Sequence, residues 1–139
     1  MAKKFILAVV AVFIAWSAMD FVIHGLILRS TYEATAHLWR PMDQINLVLI
    51  YMVTLVAAAA FAGLYAAVVT KKSLGTGLMY GFLYGIATGF PMGFGSYCYM
   101  PVPLYLAIVW FVGTLAETIV GGALVGAIIK PADSGKDSK

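Results

Sequence analysis

Apolar residues fill this chain in four long blocks, 5–28, 45–70, 74–97 and 104–129, and most charged residues fall between or beyond them. Each block reaches the roughly 20 helical residues needed to cross a hydrocarbon core about 30 Å thick. Backbone groups in lipid must find partners within their own segment, which makes helices of such blocks. The pattern therefore predicts an all-α fold, a four-helix transmembrane bundle. Its connections are the segment 29–44, a Lys71-Lys72-Ser73 turn and a Pro101-Val102-Pro103 turn.

The first connection has an organisation of its own. Ser30 and Glu33 have the spacing of a capping box, in which each side chain satisfies a free amide at a helix start. Arg40-Pro41 supplies a stop. A short interfacial helix over 31–39 is expected between helices 1 and 2, with Tyr32, Ala36 and Trp39 on one side. It would lie flat on the bilayer or act as a lid.

Charge turns the pattern into a topology. Lys3, Lys4, Lys71, Lys72, Lys130, Lys136 and Lys139 fall on one side of a four-pass arrangement, and only Arg29 and Arg40 on the other. Basic residues mark the cytoplasmic side, so both termini are expected there. Tyr32, Trp39, Tyr97, Tyr99 and Tyr105 would form an aromatic belt at the outer interface. The apolar stretch after Lys3 and Lys4 imitates a signal peptide but runs on to Leu28. That is longer than a signal core, so it reads as a first membrane helix.

The composition agrees. Hydrophobic residues make up 63% of the 139 and charged residues 11%, against about 25% charged in soluble domains. Mean hydropathy is +0.95. Residues 1–130 read as a single four-span transmembrane domain, and 131–139 as a disordered polar cytoplasmic tail. The net charge of +3 is a topology signal and implies no nucleic acid partner. The single cysteine, Cys98, excludes an intrachain disulfide.

Helix 3 carries a glycine zipper: Gly77, Gly81, Gly85, Gly89 and Gly93, spaced every four residues. Small residues let membrane helices approach closely, and packing rather than hydrophobicity drives their association. A period of four drifts about 40° per step on a helix of 3.6 residues per turn, which suits an inclined crossing. Folding the hairpin at Pro101 puts Gly89 level with Gly113, Gly85 with Glu117 and Gly81 with Gly121. A stripe of Gly113, Glu117 and Gly121 on helix 4 is thus expected to face the ladder. Pro91 should bend helix 3.

Three ionisable residues lie within the spans: Asp20 and His24 on helix 1 and Glu117 on helix 4. A lone charge there is costly, so each needs a partner, a proton or water. Asp20 and His24, spaced i, i+4, share a face that Trp16 extends. The two acids meet if helices 1 and 4 touch. One reading makes these groups structural glue between helices. Another makes them a proton- or cation-responsive site.

Other chemistry has less support. His37, Met42, Cys98 and Met100 belong to the outer half and include soft ligands suited to copper, but they lack tight ligand spacing. No cofactor is predicted. Gly93-x-Gly95 lies in the membrane, the wrong context for a phosphate loop. Ser17, Asp20 and His24 share one helix and do not make a hydrolytic triad. No catalytic residue is assigned.

Residues 21–39, with Trp110 and the small residues Gly121, Gly122 and Gly126, give a layout that resembles small uncharacterised four-helix bacterial inner-membrane proteins. The resemblance implies a bacterial-type inner (plasma) membrane and no particular activity. The chain is also similar to small multidrug-resistance transporters in having four short helices and an acid in helix 1. It departs from them in the position of Asp20 near the outer end and in its strong charge bias.

Two functions are expected from these features. The first is a non-catalytic accessory or assembly subunit that packs against other membrane helices, as a homo-oligomer or in a larger membrane complex. The second is a small oligomeric transporter or channel with Asp20, His24 and Glu117 along its path.

Overall fold

The computed structural model describes residues 2–130; the expectation for the tail, 131–139, lies outside them. The fold is all-α, with helix over 86% of the described residues. Helix α1 spans Ala2–Asp20 and continues as a π-helical segment, Phe21–Ile27. Helix α2, Arg29–Ala34, follows, then two single 3-10 turns, Ala36–Leu38 and Met42–Gln44. Helix α3 is Leu47–Val68 and α4 is Leu74–Phe90. A second π segment, Pro91–Gly95, leads into α5, Ser96–Tyr99, and α6 covers Leu104–Ile128. Three helical stretches are long and apolar enough to cross a membrane: Ala2–Ile27, Leu47–Val68 and Leu104–Ile128.

The ends of these helices follow from local chemistry. The Asn46 side chain accepts from the amide of Leu49 and starts α3. Ser73 does the same for Thr76 and starts α4. Both cap residues have extended backbone, as N-caps require. Pro91 has no N–H to give and its ring crowds the preceding turn. The α pattern ends there, and the chain continues through π geometry rather than breaking.

The capping box at Ser30 does not form. Helix α2 has Leu28 at its N-cap position, with no side-chain cap bond. The reason is continuity: Leu28 N–H already bonds Ile23 O at 2.9 Å, and Tyr32 N–H bonds Leu28 O at 2.9 Å. With helical acceptors in place, no free amide awaits Ser30. Glu33 instead accepts from Arg29 Nε at 3.0 Å. The expected helix over 31–39 is also split, at Thr35, whose φ of −110° and ψ of 22° leave the helical region.

The closest seam joins α4 to α6. A Cβ at Gly77 would meet the carbonyl of Gly122, and one at Gly81 would meet the carbonyl of Thr118. Across the same seam, Gly85 faces Leu115 and Thr118, and Gly89 faces Thr114 and Phe111. The depth matching is therefore close to that expected, but the face is not. Gly113 and Gly121 look away from the ladder: Gly113 lies against Ile23, and Gly121 against Trp16 and Phe61. Two small-residue stripes run side by side on α6. Thr114, Thr118, Gly122 and Gly126 take the ladder, while Gly113 and Gly121 accommodate bulky side chains of α1 and α3.

Helix α1 thus packs on the other side of α6, and α3 packs on α1. Phe61 of α3 is fully buried, with Trp16, Tyr80 and Tyr84 around it at ring separations of 5.2, 4.7 and 5.0 Å. Tyr80 donates its hydroxyl to Phe61 O at 2.8 Å. A second core lies toward the Pro101-Val102-Pro103 turn, where Ile23, Leu28, Val102 and Leu106 are buried together. Along α3, the buried positions are Ala58, Phe61, Ala62 and Tyr65, all in its C-terminal half. Its first half is exposed and meets α1 edge-on where Tyr51 lies 6.5 Å from Phe13.

Candidate functional site

A cleft of about 1100 Å³ lies between α1 and α3. One wall is the end of α1 with its π segment, another is the first half of α3, and the connection from Arg29 to Ile45 closes one side. Asp20, His24, Tyr32, Trp39, Tyr51 and Trp110 are among its lining residues. The lining is mainly apolar with a few converging polar groups, the usual make-up of a ligand site.

The polar groups form a connected series. Trp110 Nε1 donates to the Tyr32 hydroxyl at 2.9 Å, and that hydroxyl lies 2.7 Å from His24 Nδ1. An indole N–H only donates, so the Tyr32 oxygen accepts from Trp110. Which of Tyr32 and His24 donates in the second bond depends on the imidazole tautomer. Nε2 faces Asp20 Oδ1 at 3.7 Å, within ion-pair reach but too long for a direct hydrogen bond. Asp20 in turn lies beside the Glu117 side chain of α6.

That last contact has a chemical requirement. Two carboxylates repel and both only accept, so a hydrogen bond between them needs one proton. Glu117 Oε1 is buried without a partner, as is Ser17 Oγ of α1. The α6 backbone is held beside α1 at this level, where Trp16 Nε1 donates to Glu117 O at 2.7 Å.

The surroundings are aromatic. Tyr32 stacks on His24 with an interplanar angle of 17°, and Trp39 meets both Tyr32 and Trp110 edge-on at 5.4 and 6.1 Å. Trp39 Nε1 bonds Thr35 Oγ1 at 2.8 Å, and that hydroxyl donates to Thr31 O at 2.7 Å. The break at Thr35 is what lets Trp39 fold back over Tyr32. Burial pushes the Tyr32 phenol above its ordinary range, and the Trp110 hydrogen bond partly offsets this.

The structure brings Asp20, His24 and Glu117 into one cluster and separates Glu117 from the glycine ladder. Tyr32 and Trp39, expected in an outer aromatic belt, are turned inward against the second core, while Tyr97, Tyr99 and Tyr105 remain exposed. His37, Met42 and Cys98 are exposed, and Met100 packs on the second core. Among the described residues, no three or more His, Cys, Asp or Glu side chains come together as a metal site. Tyr32 and Trp110 are the residues the sequence did not mark as part of this cluster. Tyr32 lies eight positions after His24, about two turns on the same helix face, which was a usable signal. Trp110 carried none.

Compared with known proteins, the chain matches no family model, no curated protein and no solved structure.

Proposed function

We propose that this chain is a multi-pass protein of a bacterial-type inner membrane, and that it acts as a small proton-coupled carrier. The fold supporting this is a four-helix transmembrane bundle with both termini cytoplasmic. Three spans are apolar and long, and the continuous helical run from α4 through α5 supplies the fourth. Lys4 Nζ reaches Lys130 O at 3.1 Å, and Gly126 near the end of α6 lies against Ser73. The lysine-rich ends therefore gather on one side, which the positive-inside rule assigns to the cytoplasm. The cleft opens at the opposite end.

The observation that carries the reading is the meeting of two acids, Asp20 of α1 and Glu117 of α6, where Trp16 Nε1 ties the two helices together at the Glu117 carbonyl. Two neighbouring acids, one of them lining a mainly apolar cleft, are a site at which a proton can be exchanged for another charge. Infrared spectroscopy on the protein in lipid tests it. A protonated-carboxyl C=O band should titrate with pH and disappear in Glu117→Gln. Proteoliposomes should show solute-linked proton movement that Asp20→Asn abolishes. Absence of any titrating carboxyl band would overturn the reading.

A second reading, the accessory or assembly subunit, is favoured by the bare first half of α3. Leu47, Val48 and Val56 there are 62%, 74% and 63% exposed, a face that another membrane helix or a second copy could cover. Native mass spectrometry from mild detergent tests it: a defined partner or homo-oligomer supports this role, and recovery as a ligand-free monomer counts against it.

A further inference from the structure

We propose that the cleft seats a neutral phenol with an apolar tail, and that the phenol hydroxyl bridges Asp20 and His24. This rests on the carrier reading above and names the ligand class that its cleft accepts.

The bridge follows from an unfilled gap. His24 Nε2 and Asp20 Oδ1 stand 3.7 Å apart, and their side chains are 40% and 39% exposed. Both residues line the cleft. They are too far apart to bond each other directly, yet near enough for one oxygen to bond both. An oxygen about 2.8 Å from each sees them at close to a right angle. A hydroxyl suits that place because it both donates and accepts. It donates to the Asp20 carboxylate, a charge-assisted bond when Asp20 is ionised. It accepts from Nε2 where that nitrogen holds the imidazole proton. With the other tautomer, the hydroxyl proton lies between two acceptors.

Charge selects a neutral ligand. The charged lining residues are Asp20, Glu33, Arg29 and Arg40, two of each sign. Arg29 is already offset by Glu33 at 3.0 Å. A cation drawn to Asp20 is disfavoured by Arg40, and an anion drawn to Arg40 is disfavoured by Asp20. A neutral ligand meets neither penalty.

The walls select a ring. Phe21, Trp39, Tyr51 and Trp110 are among them, and edge-on or offset aromatic pairs add to what burial alone gives. A phenol hydroxyl, with an ordinary pKa of about 10, is also a stronger donor than an aliphatic alcohol. The volume of about 1100 Å³ holds a ring with several carbons beyond it. Leu47, Ile50 and Tyr51 of α3 line the cleft and are exposed. On a membrane-spanning helix this opens the cleft sideways, so a ligand dissolved in the bilayer enters without crossing water.

The test uses the full chain in lipid nanodiscs, with empty nanodiscs subtracted. The probes are 4-nonylphenol, its methyl ether, 4-nonylbenzoate and nonyltrimethylammonium. Binding is followed by Trp fluorescence, and the Asp20 carboxylate by the infrared band that Asp20→Asn removes. The phenol should bind about tenfold or more tightly than its ether, which keeps the ring and tail and lacks the donor. The phenol should shift the carboxylate band, and the ether should not. In Asp20→Ala the two should bind about equally, with ether binding retained. Tyr51→Ala should weaken both a few-fold.

Equal binding of phenol and ether to the native chain would overturn the proposal as simple partitioning. Tighter binding of the benzoate or the ammonium would overturn it by showing that one charge dominates the cleft. A phenol preference that survives in Asp20→Ala would overturn it by placing the hydroxyl elsewhere. If Asp20→Ala binds neither phenol nor ether, the native chain decides: a shifted carboxylate band supports the bridge and an unshifted one overturns it. A titrating carboxyl band without any phenol preference would overturn this inference and leave the carrier reading standing. A phenol preference without that band would overturn the carrier reading and support the bridge.

Discussion

Trp110 donates its indole N–H to the hydroxyl of Tyr32 across 78 positions of the chain. One bond thus ties α6 to the connection that closes the cleft, and it occupies one acceptor site of the hydroxyl that also contacts His24 Nδ1 at 2.7 Å. The hydrogen bond at one ring nitrogen of a histidine sets which nitrogen holds its proton, so Trp110 reaches the imidazole through Tyr32.

Trp110→Phe keeps an aromatic ring and removes the donor. The variant should lose about 1 kcal/mol of stability, the ordinary worth of one hydrogen bond. The Tyr32 phenol, already raised by burial, should titrate higher still, because the bond that lowers it is gone. Its linkage has a definite sign. Above about pH 10, the ordinary phenol value, the unfolded chain releases a proton that the folded chain keeps. Stability should therefore fall as pH rises through that range, and fall further in Trp110→Phe. Difference spectra of tyrosinate against Tyr32→Phe would check the shift, and denaturation at several pH values the slope.

The seam between α4 and α6 has no room for a methyl group. Gly81→Ala should destabilise the fold by about 1–3 kcal/mol through overpacking against the Thr118 carbonyl. Gly63→Ala is the matched control. A Cβ there meets nothing within 4 Å, so the change should be neutral or slightly stabilising from helix propensity. Unfolding in mixed micelles with increasing denaturing detergent would rank the two. Equal effects would contradict the seam.

Phe61 is the buried hub between α1, α3 and α4. Phe61→Ala should cost about 3 kcal/mol, at the low end for an aromatic deletion in a core. Part of the usual loss is absent because lipid is as apolar as the interior, and lost packing remains. The same unfolding assay measures it. Quenching of Trp16 should also increase, since the ring packed on it at 5.2 Å is removed.

Cys98 tests the proposed orientation. The thiol is exposed and lies on α5, at the end of the molecule opposite the lysine-rich turn. A membrane-impermeant maleimide should label it in intact cells, while a cysteine placed at Lys71 should react only after lysis. The reverse pattern would invert the topology.

Much of this fold was legible because its signals are local. Apolar run lengths located the long helices, whereas the caps Asn46 and Ser73 became evident only from their bonds to Leu49 and Thr76. The depth matching across the hairpin was legible too, since it depends only on rise per residue and the position of the Pro101-Val102-Pro103 turn. The facing surfaces were not. The Gly113–Gly121 and Thr118–Gly122 stripes lie one residue apart on α6, about 100° around the helix, and both are made of small residues. What separates them is Trp16, Ile23 and Phe61, which need the space beside Gly113 and Gly121 and come from α1 and α3. Likewise, Ser30 and Glu33 have the spacing of a cap, but the spacing does not reveal that the preceding π turn had already supplied the acceptors. Trp110 is joined to Tyr32 by tertiary structure alone.

Gly77 and Gly122 exclude a side chain from each other by backbone. A Cβ on Gly77 strikes the carbonyl of Gly122, and a Cβ on Gly122 strikes the carbonyl of Gly77. Ordinary core positions can trade volume, one residue shrinking as its neighbour grows. Here there is nothing left to shrink. A substitution at either position has no compensating partner at the other, so this pair is closed to stepwise exchange, and the two helices can drift in sequence only around it.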